Sequence, residues 1–251
     1  MVSPPDSHEV EQFREARRRV LDHIADACAR AGRDPAGVTL VAVSKTVAVE
    51  RLNAAVAAGL TVLAENRVQE GEAKAPLVEG ATWHLVGPLQ SNKARRALET
   101  FELIESVDSM DLARRLDRLA TEVRADAKVP VLLQVNVDED AAKAGFDPAG
   151  LETDIDAILD LPRLDVRGFM TMGRLGASPE DARSTFQSLR QLSGRLRAGR
   201  ARLGPELSMG MSDDYPIAIE EGATIVRVGR ALFGERAHTH ADHEHTAEGR
   251  C

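Results

Sequence analysis

Short apolar runs alternate with helical stretches along almost the whole chain, and this alternation constrains the fold more than any other feature. Eight runs read as strands, at residues 38–44, 61–64, 82–86, 103–107, 129–137, 164–171, 206–208 and 223–228. Helices are predicted to begin near Ala48, Arg67, Asn92, Met110, Pro148, Pro179 and Asp213. Strands separated by helical crossovers indicate βαβ units and a parallel sheet.

Eight such units predict a single closed (β/α)8 barrel of the TIM type, and a length of 251 residues suits one. The alternative is an open doubly wound sheet, because the second and seventh strands carry weak patterns. An extra helix is predicted over residues 9–31, where apolar residues recur at helical spacing. Residues 1–8 are predicted to be disordered, 9–236 to form the barrel, and 237–251 to be a disordered tail.

The amino-acid composition disfavours two classes of protein, those that bind nucleic acid and those that span a membrane. Lys plus Arg is 32 against 40 for Asp plus Glu, a net charge of −8, which disfavours nonspecific binding to nucleic acid or to anionic membranes. One Trp, one Tyr and six Phe leave few rings on which single-stranded nucleic acid could stack. The most apolar window, residues 54–64, is about half the length of a membrane-spanning helix. We therefore expect neither a nucleic-acid partner nor a membrane span.

The N-terminal residues and the cysteine count bear on the cellular compartment, and the histidines near the C-terminus bear on metal binding. The first ten residues lack the features of a secretory signal, and Cys28 and Cys251 are too few for a disulfide framework, so a cytoplasmic protein is expected. Four of the seven histidines lie within residues 238–245. Such a tract could bind a divalent metal, but a disordered tail is the simpler interpretation, and no metal site is assigned. Because a closed barrel leaves no sheet edge to pair, a monomer is expected.

Lys45 ends the first predicted strand, in a chain where only five of the 32 basic residues are lysines. Side chains alternate along a strand, so Thr39, Val41, Val43 and Lys45 share one face. If that face is the barrel interior, Lys45 projects into the C-terminal mouth, where barrel enzymes place reactive groups. Burial there would lower its pKa and allow it to form a Schiff base with an aldehyde. Alternatively, its stem lies along apolar surface while its amine reaches water.

Two glycine-containing segments follow the last two predicted strands. After the seventh, SMGMSDD combines Gly210 with the hydroxyls of Ser208 and Ser212, which suits a phosphate group if the two aspartates point away. Alternatively, Ser212 is a helix N-cap. Barrel phosphate sites often use the loops after strands seven and eight, so VRVGRALFG is expected to meet the first segment. Arg227 and Arg230 would add positive charge there.

Two further polar residues accompany apolar strands. Asn66 directly follows the second strand, and His84 lies inside the third. An inward His84 could donate to a ligand oxygen or stack on a ring. Alternatively, it is a core histidine that backbone groups satisfy.

Taken together, these segments resemble the YggS/PROSC family of pyridoxal phosphate homeostasis proteins. The resemblance runs in order from about residue 9 to 236 and rests on AVSK, ENRVQE, WHLVGPLQSNK, SVD, VNVDED followed by Lys143 and Gly145, RGFMTM, LSMGMSDD and VRVGRALFG. It implies a fold type III barrel similar to the N-terminal domain of alanine racemase. It also implies that pyridoxal 5′-phosphate (PLP) is held as a Schiff base on Lys45.

The resemblance further implies that Asn66 and His84 line the cofactor pocket and that the loops after strands seven and eight hold the phosphate. Arg227 lies near the cofactor by the same resemblance, facing either the pyridine nitrogen or the phosphate. At the nitrogen, an arginine keeps the ring unprotonated and weakens it as an electron sink. The implied cofactor-binding set is Lys45, Asn66, His84, Ser208, Met209, Gly210, Met211, Ser212, Arg227, Gly229 and Arg230.

Two positions depart from the family pattern. Arg230 stands where the family has a small hydroxyl residue after Gly229. It either makes a charge-assisted bond to the phosphate or points outward and leaves one donor fewer. Tyr215 followed by Pro216 departs from the family's usual helix start, so the conformation of the first turn of that helix is not predicted.

The resemblance implies a protein that stores, buffers or delivers PLP, with apo forms of PLP-dependent enzymes as candidate recipients and little or no catalysis. Alanine racemase takes one acid/base group from a separate β domain, for which this chain leaves no room, and the only tyrosine, Tyr215, falls within the barrel. One alternative is a PLP-dependent enzyme acting on a small amino acid, with Lys45 as its single base. Another is a barrel that binds a different phosphorylated ligand or acts only through protein partners.

Overall fold

A computed structural model describes residues 5–125, 127–140, 142–173 and 178–234. Within them, eight parallel strands close into a barrel in chain order, with β8 paired to β1. The closed barrel predicted from the sequence is confirmed, and the open sheet is excluded. The strands are β1 (Thr39–Val43), β2 (Val62–Glu65), β3 (Thr82–Leu85), β4 (Leu103–Val107), β5 (Val129–Gln134), β6 (Leu164–Met170), β7 (Glu206–Ser208) and β8 (Ile225–Val228).

Helices surround the barrel and connect its strands. None of those in the described part of the chain is both long enough and apolar enough to cross a bilayer. The helices are α1 (Ser7–Ala31), α2 (Val49–Ala57), α3 (Val68–Lys74), α4 (Ala94–Thr100), α5 (Met110–Val123), α6 (Pro148–Leu159), α7 (Pro179–Arg197), α8 (Tyr215–Glu220) and α9 (Arg230–Phe233), with 3-10 turns at Pro35–Gly37, Ala75–Leu77 and Ser91–Lys93.

The N-terminal helix begins at Ser7, two residues before its predicted start. The side chain of Asp6 accepts the N–H of His8 and caps the helix, so the last two residues of the segment predicted to be disordered are helical. Phe13 of α1 packs edge-on against Phe233 of α9, with ring centroids 5.6 Å apart, which joins the first helix to the last. Residues 1–4 and the predicted tail, 237–251, lie outside the described residues.

Helices α5, α6 and α7 begin where the sequence predicts, because Ser109, Asp147 and Ser178 each cap one of them by accepting a backbone N–H. The predicted start at Asn92 falls instead in a 3-10 turn, and α4 begins at Ala94. These three side-chain caps thus fix where the helices begin.

Helix α8 begins at Tyr215, not at Asp213 as predicted. The carbonyl of Met211 accepts the N–H groups of both Asp214 and Tyr215, so the chain closes a tight turn before the helix starts. Pro216 then occupies the first turn of α8, where its missing N–H costs no hydrogen bond. The segment after β7 therefore stays irregular up to residue 214.

Alternate strand residues build two apolar layers. Ala42 and Leu63 face outward into the core shared with the helices. The inner layer is a smaller cluster that includes Val41 and Val43 of β1, so the odd-numbered residues of β1 face inward. Continued past the end of β1, this parity would place Lys45 on the inward side. The remaining inner residues are Val62, Ala64, Val86, Leu103, Leu132, Met170 and Ile225.

Candidate functional site

Lys45 follows β1 at the barrel mouth, the end of the barrel where the strands terminate. It lies in a turn that the Val47 N–H closes by donating to the carbonyl of Ser44 at 3.0 Å. Thr46, the next residue, has a φ of 65°, a region that residues other than glycine rarely adopt. Lys45 is half-buried, and among the described residues its Nζ has no hydrogen-bond or ion-pair partner. No described side chain or carbonyl therefore holds this amine in place.

A polar network, buried throughout, crosses the barrel interior. Nδ1 of His84 lies 2.7 Å from Oε1 of Glu105, and the hydroxyl of Ser208 donates to Oε2 of Glu105 at 2.5 Å. Arg227 donates from Nη1 to Oγ of Ser208 at 2.5 Å and from Nη2 to the carbonyl of Thr171 at 2.8 Å. One carboxylate thus links a histidine of β3 to an arginine of β8.

The charges inside this network offset one another. Burial acts to raise the pKa of Glu105, but the hydrogen bond from His84 and the charge of Arg227 hold that pKa below its usual range. Burial lowers the pKa of Arg227, and the charge of Glu105 opposes this. An ionised carboxylate only accepts hydrogen bonds, so Nδ1 of His84 carries a proton and Nε2 is the atom left for a ligand.

The loops after β7 and β8 lie side by side, as expected from the sequence. The Gly229 N–H donates to Oγ of Ser212 at 3.2 Å, and the Arg227 N–H donates to the carbonyl of Gly210 at 3.1 Å. Gly210 has a φ of 90°, and a Cβ there would lie 2.6 Å from a side-chain atom of α8, so this turn requires glycine. In the described part of the chain, the backbone N–H groups of Gly210, Ser212 and Arg230 reach no protein acceptor. Unbonded amides on two neighbouring loops suit an anion.

Three residues of the implied cofactor-binding set direct their groups away from a phosphate site between the two loops. The side chain of Met209 is buried in the outer apolar core, and the N–H of Met211 donates to Oδ1 of Asp214 at 2.6 Å. The guanidinium of Arg230 pairs with Asp213 at the surface, with the two side chains 61% and 76% exposed. Of the two orientations considered for Arg230, the structure shows the outward one, because Asp213 offers a nearby carboxylate.

The two aspartates of this loop differ in environment. Asp213 points outward, as a phosphate neighbour would require, but Asp214 is half-buried. Burial raises the pKa of Asp214, although the N–H of Met211 and the charge of Arg227 act against it. The carboxyl of Asp214 therefore serves the turn, where it accepts the N–H of Met211.

Asn66 directly follows β2, at the same end of the barrel as Lys45. Val43 of β1 is in register with Ala64 of β2, so Lys45 and Asn66 follow neighbouring ends of adjacent parallel strands. A Cβ at Gly87 would lie 2.1 Å from the carbonyl oxygen of Asn66. Glycine at that position therefore lets the chain after β3 approach the chain after β2.

Sequence reasoning missed Glu105, the centre of the interior network. The available signal was a charged residue inside the apolar strand Leu103–Val107, the same kind of signal that singled out His84 in β3. Ser208 was expected in the phosphate loop, but its hydroxyl belongs to the interior network. Thr171 takes part through its backbone carbonyl, which no side-chain pattern predicts.

Comparison with known proteins gives concordant matches. The family model described as alanine racemase, N-terminal domain, matches residues 19–237. The pyridoxal phosphate homeostasis protein of Aquifex aeolicus is 40% identical over 220 residues, covering 87% of this chain and 96% of that protein. The structure of PipY from Synechococcus elongatus PCC7942 with PLP bound is 41% identical with a TM-score of 0.74, covering 84% of this chain and 100% of that one. Alanine racemase of Clostridium difficile 630 shares the fold alone, at 16% identity and a TM-score of 0.67, and 60% of its length is covered.

Proposed function

Because the chain belongs to the family of pyridoxal phosphate homeostasis proteins, we propose that it binds PLP covalently through Lys45 and acts in intracellular PLP homeostasis by storing, buffering or delivering it. PLP supplies an aldehyde for a lysine amine and a pyridine ring that can accept electrons. The observation that carries the proposal is the position of Lys45 after β1 at the barrel mouth, with no partner for its Nζ among the described residues and with unbonded backbone amides on the loops after β7 and β8.

The donors present fit the cofactor. The free N–H groups of Gly210, Ser212 and Arg230 would hold the phosphate through the backbone, which a Cβ at position 210 would disturb. Asn66 and Nε2 of His84 would line the side of the ring. In this arrangement the outward guanidinium of Arg230 contributes no charge to the phosphate, and its backbone amide is the part that binds.

Arg227 is proposed to face the pyridine nitrogen and not the phosphate. Its guanidinium is buried inside the barrel between Ser208 and Thr171, whereas the free amides lie on the loops above. The carboxylate of Glu105 keeps this guanidinium charged and in place. A permanent cation at the ring nitrogen disfavours its protonation, so the bound ring would be a weak electron sink.

Little or no catalysis is therefore proposed. Racemisation needs an acid/base group on each face of the cofactor. The only tyrosine of the sequence, Tyr215, lies with its hydroxyl 3.0 Å from Nδ1 of His23 on α1, so it belongs to the helical layer outside the barrel. Apo forms of PLP-dependent enzymes are the proposed recipients of the cofactor.

The proposal is tested by borohydride reduction of the protein with PLP, followed by peptide mass mapping. The expected result is a reduced adduct on Lys45, absent from Lys45→Ala. Lys128→Ala serves as the control, since Lys128 is an exposed lysine at the opposite end of the barrel. An adduct of equal yield in Lys45→Ala would overturn the proposal.

The alternative is a PLP-dependent enzyme acting on a small amino acid, with Lys45 as its single base. The match to the alanine racemase N-terminal domain is the observation in its favour. It predicts exchange of the α-proton of an amino acid for deuterium, measured by mass spectrometry with PLP-loaded protein. Homeostasis without catalysis predicts no exchange above that of free PLP across a panel of amino acids.

A further inference from the structure

A buried ion pair lies behind Lys45, on the outer side of the barrel wall. Lys74, the last residue of α3, donates from Nζ to Oε1 of Glu65 at 2.7 Å and to the carbonyl oxygen of Ser44 at 2.9 Å. The hydroxyl of Ser44 donates to the same Oε1 at 2.8 Å. Glu65 and Ser44 are fully buried, and the side chain of Lys74 is 12% exposed. The pair therefore connects α3 to the ends of both β1 and β2.

The carbonyl that Lys74 binds is the one that closes the turn around Lys45. The Val47 N–H donates to the same oxygen of Ser44, so an ammonium group supports the turn at its closing hydrogen bond. Thr46 inside the turn has a positive φ, a conformation that persists only where surrounding contacts hold it. Ser44 meets Glu65 and Lys74 and directly precedes Lys45, so fixing Ser44 fixes the start of the turn that carries Lys45.

Fold stability does not by itself explain this ion pair. Oε2 of Glu65 is buried and has no hydrogen-bond partner in the described part of the chain. Burial raises the pKa of Glu65, and the hydrogen bond and charge of Lys74 oppose this only in part. A buried charge pair of this kind is often no more stabilising than an apolar pair of similar volume.

We propose that Lys74, held by Glu65, is a positioning residue for Lys45: it fixes the turn of residues 44–47 so that Nζ of Lys45 projects into the barrel mouth. It acts from the far side of the strand and does not touch a ligand in the mouth. The inference rests on the proposed function, since it assigns the turn to the presentation of the PLP-binding amine.

The first test is hydrogen exchange in the protein without added PLP. Lys74→Met should speed exchange of the Val47 amide by about tenfold, because the closing carbonyl loses a charged donor. Arg124→Met is the matched control. Arg124 also donates to two backbone carbonyls, those of Leu98 and Phe101, but ahead of β4, at the opposite end of the barrel from Lys45. That variant should leave exchange at Val47 unchanged.

The second test is the yield of borohydride-trapped PLP on Lys45 at a subsaturating PLP concentration. Lys74→Met should lower this yield by about tenfold, whereas Arg124→Met should match the natural sequence even if both variants unfold at a lower temperature. A purely structural role predicts that the two variants behave alike in both tests, and that result would overturn the proposal.

Ser44→Ala is the second variant in case Lys74→Met does not fold. It removes one hydrogen bond to Glu65 and leaves Lys74 in place, so a smaller change in the same direction, about threefold, is expected at Val47. No change in either readout would contradict the proposal. If the unmodified protein gives no adduct on Lys45, the proposed function fails, while exchange at Val47 still decides whether Lys74 holds the turn.

Discussion

Oε1 of Glu105 lies 2.7 Å from Nδ1 of His84 inside the barrel, and both side chains are buried. The two residues come from neighbouring strands, β3 and β4, and the other carboxylate oxygen reaches Ser208 across the interior. Through these contacts one carboxylate sets the proton of a pocket histidine and balances the charge of Arg227. The interior of the barrel is thus polar on the side where the cofactor is proposed to lie.

Glu105→Gln keeps the shape of this side chain and removes its charge. We expect it to lower the free energy of unfolding by about 2–3 kcal/mol, because Arg227 is left buried without its counter-charge. Urea denaturation measures the change. Glu122→Gln, which disrupts an exposed pair with Arg95, should have no measurable effect, and equal effects of the two substitutions would contradict this account.

The same carboxyl should make stability depend on pH. The pKa of Glu105 in the folded state is held below the usual value. The stability that its charge contributes is therefore fully present at a pH above the usual pKa of glutamate, and it is lost as the pH falls through the pKa of the folded state. The difference in unfolding free energy between the natural sequence and Glu105→Gln should therefore shrink from pH ~7 to pH ~3. Glu65 and Asp214, whose pKa values are raised, are present in both proteins, so their contributions to the pH dependence cancel in the difference. A difference that grows toward low pH would contradict the assignment.

Gly210→Ala should damage the loop that is proposed to bind phosphate. The φ of 90° and the 2.6 Å approach to a side chain of α8 predict a loss of about 2 kcal/mol or more in unfolding free energy, together with weaker PLP binding in a fluorescence titration. Gly194→Ala is the control, since a Cβ there meets nothing within 4 Å inside helix α7. It should stabilise the protein by about 0.5–1 kcal/mol. Equal changes in unfolding free energy and PLP binding for the two substitutions would contradict the requirement for glycine at position 210.

Arg230 and Ser212 should differ in their effect on PLP affinity. The guanidinium of Arg230 is paired with Asp213 at the surface, so Arg230→Ala should change the dissociation constant of PLP by less than about twofold. Ser212→Ala removes the hydroxyl that fixes Gly229 and should weaken binding by about fivefold. Isothermal titration calorimetry measures both. A larger loss for Arg230→Ala would show that its side chain turns inward to the phosphate.

Local patterns in the sequence carried a large part of the fold. The spacing of apolar runs predicted the eight strands within a few residues, and the two-residue period of β1 grouped Val41 and Val43 on one face, which is the inward one. The starts of α5, α6 and α7 agree with the prediction, whereas the turn at Met211 delays α8 beyond its predicted start. Periodicity acts over a few residues, which is why sequence alone shows it.

Local sequence patterns therefore account for the barrel, the inward face of β1 and the two glycine-containing loops. The partners of the polar side chains were decided only by the tertiary structure. Glu105 meets Ser208 although 103 positions separate them, and Lys74 reaches back 30 positions to the carbonyl of Ser44. Such contacts depend on strand register, on closure of the barrel and on how the helices dock. Those are properties of the assembled sheet, and no local pattern in the chain encodes them.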